Sequence, residues 1–290
     1  MNSPTNLPLS PLPLRCGNHV LAFAHKTYIM GIVNVTPDSF SGDGLAGRPH
    51  GAVEQGVRMV EDGADLLDVG GESTRPGSEQ VTVQDELRRV IPVIDRLREN
   101  VDAPISIDTY KSAVARAAVE AGATMVNDIS GLNADPRIAD VAAESGAALV
   151  LMHMQGTPQT MQQNPHYDDV IGEIAGSLSC SVERATQAGM PRSQIAIDPG
   201  IGFGKTVEHN LEIIRRLSEF RDLGCAILIG ASRKSFIGKI LDVPVDHRLE
   251  GTAASVALSI ANGANIVRVH DVKAMSRIAR MCDAILGRLG

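Results

Sequence analysis

One phrase recurs along the chain: an amphipathic stretch, a glycine hinge, then a short apolar run that ends in polar residues. It reads EDGADLLDVGGEST at 61–74, EAGATMVNDISG at 120–131, ESGAALVLMHMQ at 144–155 and ANGANIVRVHDV at 261–272. Glycine at the close of a helical pattern supplies the left-handed backbone that ends a helix. The apolar run that follows suits a strand buried on both faces, as in a parallel sheet. A chain written this way alternates helices with parallel strands, which places it in the α/β class.

Reading the rest of the sequence on that basis predicts strands at 28–34, 65–69, 104–108, 124–128, 147–152, 194–198, 226–230 and 265–269. Helical patterns fall near 51–62, 82–99, 111–121, 135–145, 168–188, 206–219, 248–262 and 271–287. Eight such units in 290 residues match a closed (β/α)8 TIM barrel. A doubly wound open sheet is the alternative, but no G-x-G-x-x-G follows the first strand. Residues 14–25 read as a short N-terminal hairpin closing the barrel bottom, within a single domain spanning 14–290. Residues 1–13 read as a flexible tail.

Composition narrows the function classes. The net charge is −7 and no Lys/Arg-rich run is present, so no nucleic-acid partner is expected. No apolar run reaches the ~18–20 residues of a membrane span, and the Pro/Leu-alternating start lacks the order of a signal peptide. Cys16, Cys180, Cys225 and Cys282 are scattered, as reduced thiols of a cytoplasmic protein would be.

A TIM barrel carries its chemistry at the C-terminal ends of its strands. Those ends are polar here: Asn34, Asp68, Asp108, Asn127-Asp128, Asp198, then Ser232 and Lys234, then Arg268 and His270. Strand residues two apart share a face. Ser106 and Asp108, Ala196 and Asp198, and Arg268 and His270 should therefore face the mouth. Their neighbours Ile105, Ile107, Ile195, Ile197, Val267 and Val269 should face the helices. A single Asp at a strand end is ordinarily a turn former or helix cap. A whole ring of buried charges is costly to desolvate, and a polar ligand in the mouth accounts for it better.

The stretch DPGIGFGKT at 198–206 looks like half of a Walker A loop, but Pro199 stands where that motif has its first glycine. Pro199 also removes a backbone donor that a phosphate cradle would use. It reads instead as one strand-end turn among eight, with Lys205-Thr206 opening the next helix.

Taken in order, NVTPDSFSGDG, GGESTRPGS, IDTYK, NDISG, MHMQGTPQTMQ, DPGIGFGKT, GASRKSFIG and RVHDV resemble the dihydropteroate synthase family of the folate pathway, from about residue 16 to the C-terminus. The resemblance implies a transferase. It would condense 6-hydroxymethyl-7,8-dihydropterin pyrophosphate with p-aminobenzoate, use Mg²⁺, release pyrophosphate and be a sulfonamide target. It implies a pterin site of Asp108, Asn127, Met152, Asp198, Phe203, Gly230 and Lys234. Pyrophosphate would be held by Asn34, Arg75, Arg268 and His270, with Asn34 also the metal ligand. The p-aminobenzoate pocket would comprise Phe40, Thr74, Arg75, Pro76 and Ser232. Asp108, Lys234, Arg268, His270 and Arg75 would be catalytic, and the molecule a homodimer packed through outer helices.

The residue chemistry agrees with that assignment. Pterin N–H groups seek carboxylate and amide acceptors, and arginine forks suit phosphate oxygens. Mg²⁺ is content with one protein oxygen beside water and phosphate. The glycines Gly42, Gly44, Gly47 and Gly77 suit loops that open and close. The implied order is SN1-like: stabilised pyrophosphate leaves, the dihydropterin delocalises the methylene cation, and the p-aminobenzoate nitrogen attacks. Three other readings compete: a pterin-dependent methyltransferase, a Schiff-base aldolase on Lys234, and a non-catalytic pterin-binding paralogue.

Overall fold

The computed structural model describes residues 12–35, 49–74, 77, 78 and 80–288. Phe40, Arg75, Pro76 and the glycines at 42, 44 and 47 lie outside the described residues. A β-hairpin comes first, β1 (Leu14–Cys16) and β2 (His19–Leu21), paired antiparallel. Eight strands follow: β3 (Tyr28–Asn34), β4 (Leu66–Gly70), β5 (Ile105–Asp108), β6 (Met125–Asp128), β7 (Ala148–Met152), β8 (Ile195–Asp198), β9 (Ala226–Ile229) and β10 (Ile266–Val269). They close into one parallel barrel, with β10 paired to both β9 and β3. Each expected barrel strand is present, within about a residue at either end.

The glycine hinges behave as the repeated phrase requires. Helix α1 (Pro49–Glu61) ends with Gly63 N–H bonding the Val60 carbonyl and Ala64 N–H the Met59 carbonyl. The same paired bonds close α3 (Ser112–Ala121) at Gly122 and Ala123, and α8 (Leu249–Ala261) at Gly263 and Ala264. Gly63, Gly122 and Gly263 have φ of 104°, 119° and 112°, where a side chain would be strained. This turn drops the chain straight into the next buried strand. The remaining helices are α2 (Val83–Asn100), α4 (Ile138–Ser145), α5 (Val170–Gln187), α6 (Val207–Arg215), α7 (Ser235–Leu241) and α9 (Val272–Ile285).

Two elements depart from the sequence reading. The pattern at 206–219 breaks after α6 into a 3-10 stretch, Leu217–Leu223, which buries Leu217 and Phe220. Helix α7 lies in a stretch expected to be loop; its seven residues are too few to show a helical period, yet Phe236 and Ile237 bury themselves.

Side-chain alternation divides the interior as expected. Ile105, Ile107, Ile195, Ile197, Val267 and Val269 join the layer between sheet and helices. The inward set, with Met30, Leu66, Met125, Ala148, Leu228 and Ile266, fills the lower barrel together with Leu14, Cys16 and Leu21 of the hairpin and Phe23 just after it. The hairpin thus plugs the bottom, and the polar strand ends are left to the top. Register sets Asp108 beside Asn127 and Asp198 beside Met152.

Beneath the plug the C-terminal helix is tied to the entry of β3. The carboxylate of Asp283, only 2% exposed, accepts from Thr27 N at 2.7 Å and Thr27 Oγ1 at 2.9 Å. Each hydrogen bond to a buried charge contributes about 1.5–3 kcal/mol. Asp283→Ala should therefore lower the melting temperature by roughly 5–10 °C, read by calorimetry, while ligand binding at the opposite end stays unchanged.

Candidate active site

Arg268 rises from β10 and reaches over β3 to two carboxylates. Its Nε donates to Asp68 Oδ2 at 2.6 Å, and its Nη2 to Asp108 Oδ2 at 2.7 Å. Asp68 Oδ2 also accepts from Asn127 Nδ2 at 3.1 Å. A guanidinium is suited to this because its N–H groups form a rigid planar fork. Burial pushes the Asp108 carboxyl up and Arg268 pulls it back; with a donor at 2.7 Å, the charged pair is the form the geometry favours.

Across the mouth, Asp198 ends β8 and accepts from Gly200 N at 2.7 Å. Burial raises its carboxyl to about 6, against the pull of Gly200 N–H, Lys234, Lys205 and Arg268. Lys234 leaves the loop after β9 with its ammonium 4.0 Å from the Phe203 ring centroid, a cation–π contact. Burial brings that ammonium down to about 8. Phe203 belongs to a small apolar cluster with Met152, Ile129 and Met161, which makes a flat wall beside the carboxylates. At Gly230 an added Cβ would meet, among the described residues, only Arg268 Cβ, at 4.0 Å, so the backbone there is open.

His270 follows β10. Burial and the adjacent Arg268 and Arg233 push its imidazole down to about 3, so it is neutral at ordinary pH. Ser232 Oγ accepts from His270 N at 3.2 Å and lies 3.0 Å from His270 Nδ1. With the hydroxyl proton directed at Nδ1, the ring presents Nε2–H as a donor. Ser232, expected in the p-aminobenzoate pocket, is 4% exposed and is used as a support for His270. Arg233 turns away from Lys234 and pairs with Asp271, Nε to Oδ2 at 2.9 Å. Asn34 ends β3 on the same face as Met30, inward, and is half-buried.

The loop bearing Thr74 is anchored at its base. Tyr110 donates to Glu72 Oε1 at 2.7 Å, Lys111 bridges Glu72 and Glu86, and Arg89 Nη1 holds the Gly71 carbonyl at 2.8 Å. Thr74 itself is half-buried.

Asp108, Asn127, Met152, Asp198, Phe203, Gly230, Lys234, Arg268, His270 and Asn34 thus come from seven different strand ends to one rim. Such a mouth defines a barrel enzyme for a flat polar ligand with an anionic part. The pterin binding enzyme family matches residues 30–270. The dihydropteroate synthase of Synechocystis sp. is 50% identical over 276 residues, 95% of this chain and 96% of that protein. The Yersinia pestis dihydropteroate synthase with a sulfonamide drug superposes with a TM-score of 0.90 at 39% identity, covering 95% of this chain and 100% of that one. The Xanthomonas albilineans enzyme in complex with 7,8-dihydropteroate gives 0.86 at 40%, covering 94% and 98%. The chain belongs to the pterin-binding enzymes and, within them, to the dihydropteroate synthases.

Sequence reasoning noticed Asp68 at a strand end but assigned it no part; its spacing from Gly70 and Gly71 carries no signal of an arginine two hundred residues away. Ile129 is hidden for a similar reason, since an isoleucine after a strand reads as core. Removing one partner of a buried ion pair is strongly destabilising, and replacing both by apolar groups is far less so. Asp68→Ala should cost about 3 kcal/mol in equilibrium urea unfolding, reduced from the fully buried case because Arg268 keeps Asp108. Asp68→Ala with Arg268→Met should recover part of that loss.

Proposed function

We propose that the chain condenses 6-hydroxymethyl-7,8-dihydropterin pyrophosphate with p-aminobenzoate, giving 7,8-dihydropteroate and pyrophosphate. The observation that carries this is the pairing of an acid-lined slot with a cationic, neutral-histidine rim in a chain similar over 95% of its length to a dihydropteroate synthase. Asp108, Asn127 and Asp198 accept from the pterin's amino and ring N–H groups. Lys234 donates to its carbonyl edge, and Met152, Phe203 and Ile129 cover its faces.

Arg268 and the Nε2–H of His270 take the pyrophosphate, with Arg75 joining from the loop after β4. Phe40, Thr74 and Pro76 receive the p-aminobenzoate ring, and Ser232 acts there through His270. Asn34 suits magnesium. Among the described residues no three His, Cys, Asp or Glu side chains gather into a cage, and a single amide oxygen is what Mg²⁺ accepts while keeping water and phosphate oxygens. When bound, magnesium neutralises charge on the leaving pyrophosphate.

Departure precedes attack in this reading. Held by its bonds to Asp68 and Asp108 at 2.6 and 2.7 Å, the Arg268 guanidinium keeps its charge and its remaining N–H donors preorganised for the charge that develops on the leaving group. Ionised Asp108 and Asp198 favour the cationic pterin methylene that remains. The amine of p-aminobenzoate then closes the C–N bond and gives up its proton to solvent.

The molecule works as a homodimer in the cytoplasm. Apolar side chains exposed on neighbouring outer helices, Ile240 and Leu241 of α7, Leu258 of α8, and Met281 and Ile285 of α9, support the pairing. Its location is supported by four unpaired cysteines and by the absence, among the described residues, of any helix long and apolar enough to cross a membrane.

A coupling assay with both substrates and magnesium should yield dihydropteroate and be inhibited by sulfonamides in competition with p-aminobenzoate; no product would sink the proposal. Slow pyrophosphate release without p-aminobenzoate is expected if departure comes first. Arg268→Ala should weaken the pyrophosphate-bearing substrate by about 100-fold and free pterin much less, as measured by calorimetric titration. Asn34→Ala should raise the magnesium concentration needed for half-maximal rate.

A further inference from the structure

The lysine of DPGIGFGKT has no place in the reaction described so far, and the structure buries it to 3% exposure. Its ammonium donates to the Phe203 carbonyl at 2.9 Å and lies 3.4 Å from the His153 carbonyl and 3.1 Å from His153 Nδ1. Among the described residues no carboxylate lies within ion-pair distance of it; the acid whose field it feels is Asp198. The three N–H donors of a lysine are thus spent on two carbonyls and an imidazole nitrogen.

Those acceptors belong to two different loops. His153 follows β7, and Phe203 follows β8. The loops are tied to each other: His153 N donates to the Asp198 carbonyl at 2.9 Å, and the Tyr167 side-chain hydroxyl to the Gly204 carbonyl at 2.9 Å. Their carbonyl dipoles at 153 and 203 converge, which is unfavourable without a cation between them. The same Phe203 presents its ring to Lys234 and to the Met152 wall. Fixing its carbonyl fixes where that wall stands.

We propose that Lys205 is a positioning residue of the pterin site: its buried ammonium clamps the loops after β7 and β8 so that Phe203 faces the ligand, and its charge keeps Asp198 a carboxylate. The inference rests on the pterin reading of the mouth given above.

The electrostatics run the same way. Asp198 is faced by Lys205 and Gly200 N–H from its own loop, Lys234 from the loop after β9, and Arg268 from β10. Lys205 is faced by Asp198, Lys234 and His153, with Tyr167 and His209 packed behind. Burial drives Asp198 up to about 6 and Lys205 down to about 7, and each opposes the other's shift. His153, at about 3, stays neutral and remains an acceptor. Affinity that needs ionised Asp198 falls as the pH drops through about 6. Without the Lys205 charge the carboxyl rises further, and the fall begins at higher pH.

The test is 6-hydroxymethylpterin affinity against pH for the full chain, Lys205→Met and Lys205→Arg, with pyrophosphate binding as the reference. Lys205→Met should weaken the pterin by about 10-fold or more at pH 6.5, where the Lys205 ammonium is present, and leave pyrophosphate unchanged. It should also move the acid limb upward by about one unit; Lys205→Arg should restore the limb. A limb that stays in place while affinity drops equally at every pH would reduce Lys205 to a structural tie and overturn the proposal, as would an unchanged affinity. Should Lys205→Met fail to fold, Lys205→Gln keeps N–H donors without the charge and must show the same limb shift. Wild-type protein that binds pyrophosphate but no pterin would overturn the reading of the mouth itself; wild-type binding with an unmoved limb in the variants overturns only the part assigned to Lys205.

Discussion

The interaction on which the site depends is the span of Arg268 across the barrel mouth to Asp68 and Asp108. It joins β10 to β4 and β5, strands that are not hydrogen-bonded to it. A guanidinium so deeply placed is held only if its donors are met, and the inward face of a closed barrel is where separate strands can meet them. Asn127 completes the set by donating to the same oxygen of Asp68 that Arg268 uses. The acceptors left over, on Asp108 and Asp198, then point where a ligand's donors would be.

Such a rim is costly to the fold, and the rest of the barrel offsets it by separating the two tasks along the axis. Below, the hairpin and inward apolar residues make a dry plug; around it, the sheet–helix layer is close to fully buried. The polar ring therefore sits on a base that does not need it for stability. Asp68 Oδ1 and the neighbouring Ser106 Oγ, both buried and without partners among the described residues, mark the boundary between plug and mouth. Leaving polar groups short of partners is tolerated where function requires a fixed field.

Most of the scaffold was legible because it is written in local chemistry. The glycine turns, the apolar runs and their alternation each act over a few residues, so the eight strands and the inward polar set could be read directly. What escaped depends on contacts distant in sequence. Ser232 was read into the p-aminobenzoate pocket, and only the approach of β10 shows it holding His270. Arg233 stands next to Lys234 in sequence, yet a left-handed backbone, φ 57°, turns it to Asp271. Phe40, Arg75 and Pro76 lie outside the described residues.

DPGIGFGKT shows how one sequence signature can serve two physical ends. A phosphate cradle needs free N–H groups converging on an empty space. Here four of them are already engaged: Gly200 N with Asp198, Gly202 N with Asn210, Phe203 N with the Gly200 carbonyl, Thr206 N with His209 Nδ1. The glycines answer to a neighbour instead. A Cβ on Gly200 would stand 2.0 Å from the His153 carbonyl oxygen, and one on Gly204 2.7 Å from that of Gln155. Close approach of two backbones brings their carbonyls together, and a buried cation then becomes the economical way to hold them. Glycine-rich turns followed by lysine can therefore arise from loop-against-loop packing alone, and the state of the N–H groups decides between that and anion binding.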